Sequence, residues 1–446
     1  MTESSISDIV RANGRFASLL KGDRLVAHNL IVGAGTIAAG VLGVAFQSLA
    51  SHQLHPADYG AVFAVVTLIT FIGLPASAFT LLMARETSRG LASGQQAASA
   101  TLLGRGNRAL LLIGTAIAGT VVVGTPALST FFNVPYELLW AAALGIPFGL
   151  ALPLLLGELQ GQQRFIAYTV LTIGQAAIKL IMAVGLGLVL GPLGIVGGIT
   201  VATVVVYVVA LRLLRRKLSI RPNLSWWRPA VGYLAVILPS TAAVGVLLSS
   251  DVLLVKHFFP TQAAGQYAAV AALGRAIFWG ASAVAIVLFP KITFRRSQGK
   301  SGTSLVSASL ILVGIGGLAG YLLLSVASKW LLSAFAGTGY AGASGYLAWY
   351  SIGMLLLGAA AVLIATQQSR GRPDFLAVLL PLSTMEPFLI LVFHQTLTQV
   401  VQIVDISMLI LLSGLVGLYL LQERRSPDRD AFAPGLGTAL PQLQGN

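Results

Sequence analysis

The chain has 446 residues, 56% hydrophobic and 9% charged, with a formal net charge of +14 and a mean hydropathy of +0.86. A soluble domain carries about 25% charged residues, so this composition excludes a water-coated globule and points to lipid as the solvent. Cysteine is absent, which excludes disulfides, thiol catalysis and thiolate metal sites.

Residues 1–26 carry Ile6, Val10, Ala17 and Leu20 at helical spacing, with Arg11, Arg15, Lys21 and Arg24 between or beside them. Such a segment is expected to lie on a membrane surface with its apolar face down; the alternative reading is a disordered tail. No signal-type apolar core precedes the first long run, so no cleaved leader is expected. A helix of about 20 apolar residues crosses a bilayer. Twelve such spans are predicted, at 27–50, 60–84, 107–128, 137–157, 166–190, 193–214, 230–258, 263–289, 303–328, 342–366, 374–395 and 398–421.

Of the 28 Lys and Arg residues, 24 fall in the tails and in alternate loops that share one side. Arg85, Arg89, Arg105 and Arg108 follow span 2, Arg212, Arg215, Arg216, Lys217, Arg221 and Arg228 follow span 6, and Lys291, Arg295, Arg296 and Lys300 follow span 8. This is the positive-inside bias rather than the single basic face of a nucleic-acid binder, so no nucleic-acid partner is expected. It places both termini of a multi-pass protein in the cytoplasm; the membrane expected is a bacterial or archaeal cytoplasmic membrane. The chain divides into an amphipathic tail (1–26), a six-helix bundle (27–214), a basic linker (215–229), a second six-helix bundle (230–421) and a disordered tail (422–446).

The second half echoes the first. Span 1 leads into His55-Pro56-Ala57-Asp58-Tyr59-Gly60, and span 7 into Pro260-Thr261-Gln262-Ala263-Ala264-Gly265-Gln266-Tyr267. Gln160-Gly161-Gln162-Gln163-Arg164-Phe165 enters span 5, and Gln367-Gln368-Ser369-Arg370-Gly371-Arg372-Pro373-Asp374-Phe375 enters span 11. Six spans is an even number, so the repeat is parallel, about a pseudo-twofold axis along the membrane normal. The predicted fold is therefore all-α and integral to the membrane, with twelve helices in two parallel bundles. The 49 glycines exceed the average usage of about 7% and let helices approach closely. Pro75, Pro147, Pro153, Pro239, Pro381 and Pro387 lie inside spans; each removes a helix hydrogen bond and permits a bend, and membrane helices also tolerate proline without one.

Four basic residues stand outside the cytoplasmic set: Lys179, Lys256, Arg275 and Lys329. Lys329 ends span 9 and can snorkel to the surface. An ionised residue at bilayer depth costs at least ~2.5 to 3.5 kcal/mol, so the other three need water, an acid or a substrate. Lys179 shares a helix face with Thr172, Gln175, Ala176 and Ala183, a polar stripe that suits a cavity wall. Arg275 lies midway along span 8 with Trp279 one turn on, and Lys256 is nearer the outer end of span 7. The acids inside spans are Asp251, Glu386 and Asp405. Two ion pairs compete with a functional reading: Asp251 with Arg275 on consecutive antiparallel spans, and Lys179 with Glu386, whose separation equals the repeat offset. The central cations favour an anionic headgroup such as a diphosphate. Arg275 and Lys179 would hold it, Lys256 would act as an outer relay, Asp251, Glu386 and Asp405 would gate or couple, and Gln175 and Trp279 would meet sugar.

No Walker pattern is present, His52 and His55 lack carboxylate support, and no long outer domain offers room for an enzyme. No enzyme, metal or cofactor is expected; a coupling ion would be H⁺ or Na⁺.

Three segments resemble the polysaccharide-biosynthesis (O-antigen) flippases of the multidrug/oligosaccharidyl-lipid/polysaccharide (MOP) superfamily: Leu54-His55-Pro56-Ala57-Asp58-Tyr59-Gly60, Gly157-Glu158-Leu159-Gln160-Gly161-Gln162-Gln163-Arg164-Phe165 and Ser250-Asp251-Val252-Leu253-Leu254-Val255-Lys256-His257-Phe258. The run from Ala264 to Arg275 with Leu288-Phe289-Pro290 is similar too. The likeness covers 27–421. It implies a central V-shaped cavity open to one side at a time, as in the multidrug members of that superfamily, and a cargo of isoprenoid diphosphate carrying an oligosaccharide. The two further helices of the peptidoglycan-precursor flippases are not seen. The major-facilitator loop signature is missing from Ala84-Arg85-Glu86-Thr87-Ser88-Arg89-Gly90. The function expected is flipping of a lipid-linked glycan to the outer leaflet, among membrane lipids and other polysaccharide-assembly membrane proteins. The alternatives are a cation-coupled multidrug antiporter and a non-transporting scaffold of a glycan assembly complex.

Overall fold

In the computed structural model, residues 24–92, 96–218, 227–297, 303–370 and 373–425 are described. The amphipathic tail before Arg24, the centre of the basic linker and the chain after Arg425 lie outside them. Every regular element among the described residues is helical, as lipid demands of a chain that must satisfy its backbone internally. The sixteen α-helices are α1 (Arg24–Gln53), α2 (Pro56–Gly73), α3 (Ser77–Ala92), α4 (Gln96–Val123), α5 (Thr125–Phe132), α6 (Tyr136–Gly161), α7 (Phe165–Leu190), α8 (Pro192–Leu218), α9 (Trp227–Leu247), α10 (Ser250–Phe258), α11 (Thr261–Ser297), α12 (Thr303–Val326), α13 (Ser328–Ala336), α14 (Ser344–Arg370), α15 (Leu376–Val392) and α16 (Leu397–Arg425). Among the described residues eleven helical runs are long and apolar enough to cross a membrane, and α15 is a shorter apolar helix of 17 residues. At 1.5 Å per residue α15 reaches about 25 Å, just short of a bilayer core of ~30 Å.

Local breaks subdivide the spans. Pro75 starts a 3₁₀ turn (Leu74–Ala76) between α2 and α3. Span 7 breaks at Leu248–Ser249, between α9 and α10, just after Gly245 and at the helix-start sequence Ser249-Ser250-Asp251. Pro147, Pro153, Pro239, Pro381 and Pro387 sit inside continuous helices. Two predicted boundaries move. Helix α8 runs through the start of the basic linker to Leu218. Helix α16 continues to Arg425, and Gln422, assigned above to the tail, is buried and accepts a bond of 2.8 Å from Gln367 Nε2. The last turns of α16 therefore belong to the bundle.

The repeat is visible in the packing. In the first bundle, span 1 packs on span 5, span 4 on spans 2, 3 and 6, and span 5 on span 6. The same five pairings recur six spans later, as 7 on 11, 10 on 8, 9 and 12, and 11 on 12. Polar ties follow the pattern: Lys217 at the end of span 6 pairs with Glu158 at the end of span 4, and Gln367 of span 10 bonds Gln422 of span 12.

The bundles meet through span 2, which packs against both spans 7 and 8, with span 1 against span 8 beside it. Near the face opposite the basic loops, repeat-equivalent glycines touch: a Cβ on Gly60 would sit 2.8 Å from Gly265 Cα, and one on Gly265 would collide with the Pro56 carbonyl. That low-charge face carries further cross-bundle ties. Ser48 and Ser51 of span 1 donate to Phe335 O (2.7 and 3.2 Å), and Tyr340 donates to Leu54 O (3.2 Å). His257 of α10 donates to Phe131 O of α5 at 2.6 Å and stacks on its ring. Gly265→Val is expected to wedge spans 2 and 8 apart and to cost about 1–3 kcal/mol through overpacking. Gly280→Val, on the same helix but facing open space, should leave thermal unfolding of the solubilised protein nearly unchanged.

Candidate functional site

Each bundle holds its charges differently. In the second bundle the break at Leu248–Ser249 makes Ser250 and Asp251 the first residues of α10, where a carboxylate suits the positive helix terminus. Asp251, 1% exposed, receives Arg275 Nη2 on Oδ1 at 2.8 Å. Its Oδ2 accepts from Tyr350 OH (2.9 Å) and Tyr267 OH (3.0 Å). Arg275 Nε donates to Tyr350 OH at 3.0 Å, and the guanidinium lies 5.7 Å from the Phe63 ring centroid, across the bundle interface. Gly274 makes room for Tyr350: a Cβ there would meet the tyrosine ring at 2.6 Å. Ser250 Oγ donates to Glu386 Oε1 at 2.8 Å, and Glu386 Oε2 is buried without a partner. The result is a closed polar cluster in which both ions of the central pair are compensated.

The first bundle holds a cavity of about 400 Å³ at mid-depth, lined by spans 1, 2, 4, 5 and 6. Lys179 is the single charged residue of its lining, which contains no acid. The ammonium lies 4.7 Å over the Phe46 ring, a cation–π contact. Thr70, Thr172, Gln175, Thr200 and Thr203 supply the polar part of the wall. Gly73, Gly145 and Gly149 keep the neighbouring helix faces shallow.

The predicted site residues therefore separate. Lys179 and Gln175 share the cavity, whereas Arg275 is not among its lining residues and is engaged by Asp251 and Tyr350. Trp279 is 53% exposed, edge-on to Phe278, and outside the lining. Lys256 is 2% exposed and its Nζ has no hydrogen-bond partner. Asp405 packs against Gly353 of span 10, where a Cβ would lie 2.7 Å from its Oδ1. The expected Lys179–Glu386 pair is not formed: the amine sits over Phe46 in one bundle and the carboxylate on Ser250 in the other. Spans 5 and 11 each pack within their own bundle, so equal repeat position does not bring them together.

Sequence reasoning missed Tyr267, Tyr350 and Phe63. Tyr267 lies eight residues before Arg275 on one helix, a spacing that shares a face and was available as a signal. Tyr350 comes from span 10 and had none. Glu158 was missed as a hub: buried, it accepts from Thr87 and Gln162 and pairs with Lys217.

No protein-family model matches the chain, and no curated protein matches it. Solved structures do. A multidrug resistance MATE family transporter of the MOP superfamily, inward-facing, aligns with a TM-score of 0.70 at 13% identity over 87% of this chain and 96% of that one. The lipid II flippase MurJ, inward closed, gives 0.69 at 12% identity over 88% and 87%. The MATE multidrug transporter DinF-BH gives 0.68 at 16% identity over 90% and 95%. The fold is that of the MATE and MurJ transporters, and the protein is a multi-pass membrane protein.

Asp251→Asn removes the counter-charge of a buried guanidinium and is expected to cost about 3–5 kcal/mol. Asp251→Asn with Arg275→Gln should cost less than the two single changes added together. Thermal or denaturant unfolding of the four proteins of that cycle measures the difference.

Proposed function

We propose that this chain is a MOP-type transporter, not an enzyme, that moves an amphipathic anion across the membrane by alternating access. The cargo we assign is a polyprenyl-diphosphate-linked glycan, carried from the cytoplasmic to the outer leaflet for cell-surface polysaccharide synthesis. One observation carries the reading: Lys179 is an unopposed cation in a mid-depth cavity whose lining has no acid. A drug cation would find only repulsion there, whereas a phosphate gains a charge-assisted bond in a poorly solvated place. The fold neighbours include a lipid II flippase as well as multidrug transporters, and the resemblance of the loop motifs favours the glycan.

Arg275 takes a different part from Lys179. Held by Asp251, it organises the interface with span 2 rather than meeting the diphosphate, and Asp251 orients it. Glu386, with one free buried oxygen beside Ser250, is the acid best placed to take a coupling H⁺ or Na⁺. That free oxygen is also the observation that favours a cation-coupled drug antiporter as the second reading.

Lys179→Gln is expected to lower movement of the lipid-linked glycan by roughly 10- to 100-fold, the worth of a charge-assisted hydrogen bond of about 1.5–3 kcal/mol. Lys179→Arg should retain much of it. Reconstituted vesicles scored for outer-leaflet glycan give the measurement. Normal flipping by Lys179→Gln at normal protein level would remove the anionic cargo, and drug resistance lost with Glu386→Gln would install the antiporter in its place.

A further inference from the structure

The cavity wall carries a second layer of selectivity, legible in where its hydroxyl protons go. A threonine hydroxyl has one donor and two acceptor sites. Thr70 donates to Val66 O (2.8 Å), Thr172 to Tyr168 O (2.9 Å) and Thr203 to Ile199 O (3.0 Å), each one turn back in its own helix. Thr200 donates across to Ala141 O (2.7 Å). All four protons are committed to backbone carbonyls, so on these four lining residues each hydroxyl oxygen keeps only acceptor capacity. Gln175 has no side-chain hydrogen-bond partner among the described residues and adds one acceptor and one amide donor group. Lys179 is the remaining donor. Once a phosphate occupies Lys179, the rest of the polar wall is rich in acceptors and poor in donors.

We infer that this wall is a specificity filter for uncharged, donor-rich sugar next to the phosphate, with Thr70 and Thr203 as specificity-determining residues. Sugar hydroxyls and acetamido N–H groups satisfy acceptors; a uronic acid sets a carboxylate, which only accepts, against oxygens that only accept. That mismatch leaves buried polar groups unpaired and is penalised accordingly. The inference rests on the transporter reading for the position of the phosphate, but the threonine ring and its committed protons are independent of Lys179.

The test measures dissociation constants for the full-length protein in nanodiscs with three probes: polyprenyl diphosphate, the same lipid bearing one neutral hexose, and the same lipid bearing one hexuronic acid. The wild type should bind the hexose probe more tightly than the other two. Thr70→Val with Thr203→Val, which keeps shape and removes both oxygens, should weaken the hexose probe roughly 5- to 10-fold and leave the bare diphosphate unchanged. Thr70→Ser with Thr203→Ser should bind like the wild type, which separates a lost acceptor from a disturbed fold. Equal binding of hexose and hexuronic probes by the wild type, or equal weakening of all three by the Val pair, would overturn the filter. Lys179→Gln reports on the underlying reading separately: unchanged binding of bare diphosphate would defeat the anion site while the hexose preference was still being read.

Discussion

Charge at bilayer depth is the constraint that organises this molecule. Each unpaired ion there costs at least ~2.5 to 3.5 kcal/mol, and the two bundles meet that cost in opposite ways. In the second, Arg275 is neutralised by Asp251 and enclosed by Tyr267 and Tyr350. In the first, Lys179 has no acid, only an aromatic face and a cavity. A symmetric scaffold thereby gains an asymmetric interior: the central cation of the second bundle is paired, while that of the first faces a cavity without an acid.

The scaffold permits this because its symmetry is one of helix packing, not of chemistry. Five helix pairings repeat six spans on, and the tie between spans 4 and 6 is ionic where the one between spans 10 and 12 is a pair of amides. Backbone geometry reproduces itself as long as small residues sit at the crossings. What fills the space between helices is free to differ.

This distinction also explains what the sequence disclosed. Run length is a local property, so the apolar spans could be read directly, eleven of them long enough to cross a membrane among the described residues and Leu376–Val392 shorter, and the Pro and Gly turns at Pro56 and Pro260 revealed the duplication. Asp251 and Arg275 were legible as partners because a tight outer turn brings consecutive spans together. The polar stripe of Thr172, Gln175 and Lys179 pointed to a cavity wall, and the lining includes all three. The Lys179–Glu386 pairing failed for a geometric reason. Residues related by a twofold axis meet only beside that axis, as Gly60 and Gly265 do, and spans 5 and 11 pack away from it within their own bundles. The arrival of Tyr350 from span 10 is a tertiary effect with no local residue to mark it, whereas the break at Leu248–Ser249 had a local mark in Ser249-Ser250-Asp251, residue types that favour a helix start.

The same axis accounts for how the low-charge face is closed. Gly60 against Gly265 is a contact of backbone on backbone, with no side chain to yield, so spans 2 and 8 either touch there or separate as a unit. The ties around it are of another kind. Ser48, Ser51, Tyr340 and His257 all donate to backbone carbonyls across the interface, and each such bond contributes only about 1 kcal/mol net. Polar groups that lose these partners on opening would face water at the membrane surface rather than lipid. On the transporter reading, then, the closure is built from contacts that are specific when made and inexpensive to break. The costly ion pair of Asp251 and Arg275 lies within the second bundle, and its guanidinium reaches the Phe63 ring across the interface.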